Sequence, residues 1–421
     1  MKPYSFRFID LFAGIGGFHQ AMRFLGGKCI MAAEINQACK DTYQLNFKMK
    51  KGELRGDVNT VTPDSIGQFD VLCAGFPCQP FSKAGAQKGF DDETRGNLFY
   101  KIMELLDGHP EVKFVILENV RNLADKTENW AIIRTELMKR NFYITEEPVI
   151  LSPSQFGFPQ IRERVYILAI RKDIRNDSIL TNGYIHYEDL HLEQFFKPCR
   201  LGDAWNILEE NVPDTYMISS EQEEMIFAWD EFRVNTNIHV IGFPIWISCF
   251  GYGIDDTETL KEQLSYADMP VWKQRFVDKN RELYLNNRLF IDDWIQRNNM
   301  LDRIKLYQKF EWNCGEDIDD IREAIIQVRQ SGIRAKRPTY YPSLVAMVNT
   351  PIIWDWERQH FRFITPREAA NLQNFHGRFK FAGSDNQIYQ QLGNSVNVRV
   401  LKILAKQLFR LANEGWDRNE E

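Results

Sequence analysis

Alternation of apolar strands with amphipathic helices over the first 175 residues limits what this chain can fold into. RFIDLF (7–12) reads as a strand, and FHQAMRFL (18–25) as a helix with Phe18, Ala21, Met22 and Leu25 on one face, closed by Gly26-Gly27. KCIMAAE (28–34) is a second strand, and FDVLCAG, LFYKIMELL, KFVILEN, WAIIRTELMKR and RVYILAI carry the pattern to residue 170. This order predicts an α/β domain over residues 1–175, built on a doubly wound, mostly parallel sheet with helices on both faces. Residues 176–345 lose the rhythm and scatter Trp205, Trp229, Trp246, Trp272, Trp294 and Trp312 among charged stretches, which predicts a second, irregular domain. In the segment 346–421, expected to return to the first domain, TPRE (365–368) is a capping box with Pro366 at the first helical position. It starts a helix through Ala369, Leu372 and Phe375, and a last helix aligns Leu401, Leu404, Leu408 and Leu411.

Composition excludes several classes. With 44% hydrophobic and 26% charged residues the chain is ordinary globular protein. Seven cysteines without a CxxC pair argue against a disulfide framework or a structural zinc site, so no metal is expected. The longest uncharged run, Val234 to Ile254, contains Asn235, Asn237 and Pro244, which predicts no membrane segment and a soluble, cytoplasmic chain. A net charge of −6 does not favour a nucleic-acid binder, yet basic residues gather in KMKKGELR (48–55), RERVYILAIRK (162–172) and RQSGIRAKRP (329–338). Such runs can line one cleft while acidic residues occupy the other faces.

Three places carry chemistry. FAGIGG (12–17) follows the first strand and opens the first helix, where backbone N–H groups point at whatever occupies the turn. The dinucleotide pattern would need glycine at position 19, which is His19, so a pyrophosphate ligand is disfavoured. Glu34, ending the second strand, is placed for ribose hydroxyls, and Asp57, ending a third, for an exocyclic amine. A nucleoside without a diphosphate fits these features, S-adenosylmethionine being the commonest such cofactor. The second place is GFPCQPFSKAGAQKGF (75–90), where Pro77 and Pro80 stiffen the backbone around Cys78 and Gly85 and Gly89 supply hinges. The third is the carboxyl edge of the sheet, reached by Glu118 of ENV (118–120), with Gln160, Arg162 and Arg164 of QIRERV on one side of a strand.

Taken in order, these blocks resemble the DNA (cytosine-5)-methyltransferases of bacterial restriction-modification systems. The resemblance rests on DLFAGIGG (10–17), Glu34, Asp57, GFPCQPFS (75–82), RGNLF (95–99), ENV, the Gln160-x-Arg162-x-Arg164 motif, Arg367 to Phe375 and GNSV (393–396). It implies a Rossmann-like fold that binds S-adenosyl-L-methionine, with 176–345 as the target-recognition domain. Double-stranded DNA is the implied substrate, and a cognate restriction endonuclease a possible partner. Gly14, Gly16 and Gly17 would form the cofactor turn, with Phe12 against the adenine and Asn394 and Val396 near the methionine end.

The chemistry explains the residue types. Cytosine carbon 5 is too weak a nucleophile until a thiolate adds to carbon 6, so the resemblance makes Cys78 the nucleophile. Arg162 is the candidate to stabilise that thiolate, while Glu118 would serve N3 and Arg164 O2 of the base. The base must leave the stack to be reached, so Ser82 to Asn97 would act as a lid and Gln79 or Ser82 would fill the vacated space. Two alternatives stand beside this reading: an RNA cytosine-5 methyltransferase on the same fold, and a catalytically inactive DNA-binding accessory protein. The large middle region favours duplex DNA, because reading a duplex needs an element in its major groove.

Overall fold

The computed structural model describes residues 5–77, 96–174, 183–238, 243–344 and 349–412. Cys78, Gln79 and Ser82 lie outside the described residues, as does the stretch expected to form a lid up to residue 95. Two compact units make up the chain: Met1–Cys199 with Pro342–Val348 and Pro366–Glu421, and Arg200–Tyr341 with Asn349–Thr365. No described helix is long and apolar enough to cross a membrane.

The first unit alternates as its sequence does: β1 (Phe6–Leu11), α1 (Gly17–Phe24), β2 (Gly27–Ala33), α2 (Gln37–Phe47), β3 (Leu54–Arg55), β4 (Val71–Ala74), α3 (Gly96–Asp107), β5 (Phe114–Val120) and α4 (Thr127–Lys139). Then come β6 (Phe142–Ile144), β7 (Val149–Leu151) and β8 (Arg164–Arg171). The strand order is β3-β2-β1-β4-β5-β8-β6, with β7 also on β8. Strands β1 to β5 are parallel, as the alternation requires. β8 is antiparallel to β5, β6 and β7, a departure from the simple repeat. The reason is local: after α4 the chain makes two three-residue strands instead of another helix, so β8 is not reached by a helical crossover.

Alternate residues of β1 face opposite layers. Ile9 and Leu11 join the core beneath α3 and α4 with Ile102, Met103, Ile133 and Leu137. Phe6, facing the other way, meets Phe409 at 5.4 Å between ring centroids. Phe409 belongs to a C-terminal helix of this unit, which also holds two shorter ones. With α5 (Ser220–Asn235), α6 (Thr257–Gln263), α7 (Val271–Asn286) and α8 (Arg288–Arg297) in the second unit, these are α9 (Pro366–Leu372), α10 (Asp385–Gly393) and α11 (Val398–Leu411). Leu401, Leu404 and Leu408 of α11 are fully buried, and Asn397 caps it by accepting from the N–H groups of Arg399 and Val400.

The second unit has its own sheet: β9 (Ile245–Trp246), β10 (Lys309–Asn313), β11 (Ile325–Arg329), β12 (Gly332–Lys336), β13 (Ile352–Asp355) and β14 (His360–Phe363), in the order β14-β13-β11-β12-β10-β9. Its core is aromatic. Trp229 stacks on Phe310 with centroids 5.1 Å apart, and Trp294 lies beside both Trp229 and Phe232. The buried indole N–H groups of Trp229 and Trp294 donate to the carbonyls of Tyr307 and Ala228, each at 2.8 Å.

The turn after β1 is tightly packed. Gly16 has φ +90°, and a Cβ there would lie 2.2 Å from Cε2 of Phe47. Gly16→Ala is expected to cost about 2 to 4 kcal/mol, combining left-handed strain with overpacking, measured by chemical denaturation. A variant as stable as the wild type would show that the turn tolerates a side chain.

Candidate active site

Each of the parallel strands β1 to β5 brings a candidate site residue to its carboxyl end. The chain leaves β1 in one direction towards β2 and β3, and later in the other towards β4 and β5, which opens a crevice at that edge. Phe12 follows β1, Glu34 follows β2, Asp57 follows β3, Gly75 to Pro77 follow β4, and Glu118 lies near the end of β5. All of them line one cleft of about 600 Å³, together with Gly14, Ile35, Cys39, Asn119, Arg162, Arg164 and Asn394. Gly16, Gly17 and Val396 are not among its lining residues. Instead a Cβ on Gly17 would come within 2.5 Å of Cγ2 of Val396, so these residues pack against one another behind the turn.

Glu34 ties the turn together. Its Oε2 accepts from the Gly14 N–H at 2.8 Å and its Oε1 from the Asn36 N–H at 2.7 Å, linking the loop after β1 to the end of β2. Each carboxylate oxygen keeps a lone pair for another donor. Phe12 holds φ +56°, a left-handed conformation that is uncommon outside glycine and is retained where a site demands it. Asp57 accepts from the Asn59 N–H at 2.9 Å. Beneath the turn, Asp10 is fully buried and accepts from the His19 N–H, and burial pushes its carboxyl well above the usual range. His19 accepts or donates at Nδ1 to the Tyr43 hydroxyl at 2.7 Å, and burial pulls its imidazole down to about 3, so it is neutral.

The other half of the cleft is charged. Glu118 is buried, with Oε1 3.0 Å from Nε of Arg164, off line for a hydrogen bond but close enough for an ion pair. Burial raises the Glu118 pKa, opposed by the positive charges of Arg164 and Arg162. Asn119 donates through Nδ2 to the Phe76 carbonyl at 3.2 Å and accepts from the Val120 N–H, fixing the chain just before Pro77. Arg162 turns its guanidinium to other partners: the Ser343 hydroxyl, and the carbonyls of Leu344, Gly393 and Ser395, the last at 2.6 Å. Burial and the Arg164 charge lower its pKa to about 9, so it remains charged at neutral pH.

The comparisons with known proteins identify the family. A family model described as C-5 cytosine-specific DNA methylase matches residues 6–410. The chain belongs to that family. It is 36% identical to the Type II methyltransferase M.DsaV of Dactylococcopsis salina, over 97% of this chain and 87% of the relative. It is 30% identical to M.AluI of Cellulosimicrobium cellulans, over 96% of this chain and 92% of that one. In fold it is similar to the S. pombe Dnmt2 methyltransferase, with a TM-score of 0.57 at 17% identity, covering 97% of this chain and all of the other.

As a DNA methylase of this family, the chain methylates carbon 5 of cytosine in DNA with S-adenosyl-L-methionine as donor. The cleft suits that cofactor. A Cβ on Gly14 would meet nothing within 4 Å, which leaves the cradle open, and the walls pair apolar Phe12 and Ile35 with acidic Glu34 and Asp57.

Sequence reasoning missed several residues here. Ile35, 74% exposed beside Glu34, was signalled only by being apolar where a strand meets solvent. The double role of Glu34 had no signal, because backbone partners leave no trace in side-chain spacing.

Arg162→Gln is expected to destabilise the protein by about 3 kcal/mol or more, since several buried acceptors lose their donor. It should also weaken binding of S-adenosylhomocysteine, because Asn394 sits between the two carbonyls that Arg162 grips. Calorimetry and thermal unfolding would measure both. Unchanged values would remove Arg162 from this role.

Proposed function

We propose that the cleft methylates a cytosine flipped out of a specific duplex sequence, with Cys78 as the nucleophile. The observation that carries this reading is the buried Glu118–Arg164 pair, set in the same cleft as the Gly14–Glu34 turn. A pyrimidine needs both a proton donor and a fixed cation as its ring gains charge. Cysteines elsewhere give no rival. Cys39 lines the cleft, but burial and the Glu34 charge push its thiol up to about 12, so it stays protonated.

The roles follow. The thiolate of Cys78 bonds to carbon 6 of the ring, and the displaced π electrons make carbon 5 nucleophilic. Glu118, whose pKa burial raises, gives its proton to N3, while Arg164 faces O2. Bound S-adenosylmethionine supplies an electrophilic methyl group, with Phe12, Gly14, Glu34, Asp57 and Asn394 as its holders. Once carbon 5 is methylated, its proton passes to water, the freed electrons re-form the 5,6 double bond and expel the thiolate, and N3 returns its proton to Glu118. Arg162 is a positioning residue for the 393–395 loop. Residues 176–345 read the DNA sequence, since chemistry and base readout use different elements. The Type II names of the relatives support a cytoplasmic enzyme protecting sites that a partner endonuclease cuts.

Cys78→Ser is expected to abolish methyl transfer while DNA and cofactor still bind, a hydroxyl being far less nucleophilic at neutral pH. DNA carrying 5-fluorocytosine should trap the wild type covalently, because fluorine cannot leave as a proton does. A denaturing gel without adduct, under conditions that support methylation, overturns the covalent route.

Glu118→Gln can hold N3 by a hydrogen bond but cannot hand over a proton. Its single-turnover rate should fall roughly 10²- to 10⁴-fold, with DNA affinity little changed. The wild-type rate should decline as pH rises through the elevated Glu118 pKa, because the protonated acid disappears; the Gln variant should lack that limb. A Gln variant as fast as the wild type would show that Glu118 only positions the base.

A further inference from the structure

The basic run at 329–338 is not used by the cleft, and the fold gives it a place. It forms the hairpin of β11 and β12, joined at Gln330-Ser331, and β12 also pairs in parallel with β10. Register brings Glu311 opposite Arg334 and Asn313 opposite Lys336. Alternation sends Phe310, Trp312, Ile333 and Ala335 into the core, each 0–1% exposed, and leaves Lys309, Glu311, Arg334 and Lys336 on the other face.

On that face Glu311 bridges two arginines. Its Oε1 lies 3.1 Å from Nη2 of Arg329 and its Oε2 accepts from Nε of Arg334 at 2.6 Å. Lys309 and Lys336 have no acidic partner among the described residues. Four cations therefore face one carboxylate, an excess of three positive charges on a chain whose net charge is −6. The side chains are only partly exposed, at 19% for Arg329 and 29% for Arg334, so water screens them incompletely. Nε of Arg329 is buried without a partner. The Lys336 pKa is lowered by burial and by the charges of Arg334 and Arg329, as a cation lacking a counter-charge must be.

Like charges are held together at a cost unless an anion arrives to offset it. We propose that this face of the second unit's sheet, centred on Arg329, Arg334 and Lys336 and extended by Lys309, binds the phosphate backbone of the DNA substrate. Glu311 keeps the two guanidinium groups in a fixed fork before the DNA is met. The inference rests on the assignment of DNA as substrate and adds the surface that holds its backbone. Phosphate contacts fix register without reading sequence, so base-reading side chains remain separate from this cluster.

The test uses the full chain and a short mixed-sequence duplex, with affinity followed by fluorescence anisotropy across a salt series. Each phosphate contact contributes a slope of about 0.9 in log affinity against log salt. Lys336→Gln and Lys309→Gln should each reduce the slope by about that amount, so that affinity falls about threefold less than in the wild type between 50 and 200 mM salt. Lys336→Arg keeps the charge and should keep the slope. Thermal unfolding checks that the variants fold; if one fails, the other carries the comparison. Wild-type slopes in both Gln variants would overturn the proposed surface. That outcome differs from a failure of the enzyme assignment, in which the wild type would bind no duplex and form no 5-methylcytosine.

Discussion

One buried guanidinium holds the cleft together. Arg162 stands just before β8, and its Nη groups reach acceptors 181 and 182 residues along the chain at Ser343 and Leu344, and 231 and 233 residues along at Gly393 and Ser395. Neither segment is a strand of the sheet, and Arg162 adds to the Gln391 contacts with Ala38 and Thr42 that hold the second of them near its edge. A lysine offers a point charge and no fork, so it could not serve both pairs of acceptors at once. Gly17 completes the closure from the other side, its missing side chain admitting Val396 against α1. The glycine turn after β1 and the 393–396 loop thus support each other across nearly the whole length of the chain.

The antiparallel direction of β8 decides where the charge goes. Register pairs Val120 with Arg164 and Glu118 with Tyr166, so the first residue of β8 stands at the carboxyl edge of β5. Had RVYILAI run parallel, as the repeat alone suggests, its first residue would lie at the opposite edge, a strand length from Glu118. The short β6 and β7 that cause the reversal, FYI and VIL, are too brief for periodicity to register. Legibility therefore failed at the topology of one strand while the side chains on it were singled out from their motif.

Elsewhere the sequence was informative in proportion to how local the physics is. Strand ends and the glycine turn depend on a few neighbouring residues: the strands ending just before Phe12 and Glu34, and the one that carries Glu118 near its end, lie where apolar runs place them. The partners of Arg162 and the packing of Gly16 on Phe47 depend on residues distant in sequence, which composition and spacing do not encode. Glu34 shows both limits: its place was readable from the end of β2, but its grip on the Gly14 N–H was not.

Electrostatics separates two tasks that a single cleft must perform. Around Glu34 the donors are backbone N–H groups, neutral and fixed, which leave a lone pair on each oxygen for a further donor. Around Glu118 the same chemical group is desolvated, and the cations beside it only partly restore its charged form. Two carboxylates of one sheet edge thereby meet different surroundings, backbone donors at Glu34 and a desolvated pocket beside two arginines at Glu118. Under the proposed roles, a stronger contact with the Arg164 guanidinium would lower the Glu118 pKa and weaken the acid, whereas removing it would leave the base oxygen without a cation. At 3.0 Å the Arg164 guanidinium opposes the effect of burial on Glu118 without cancelling it.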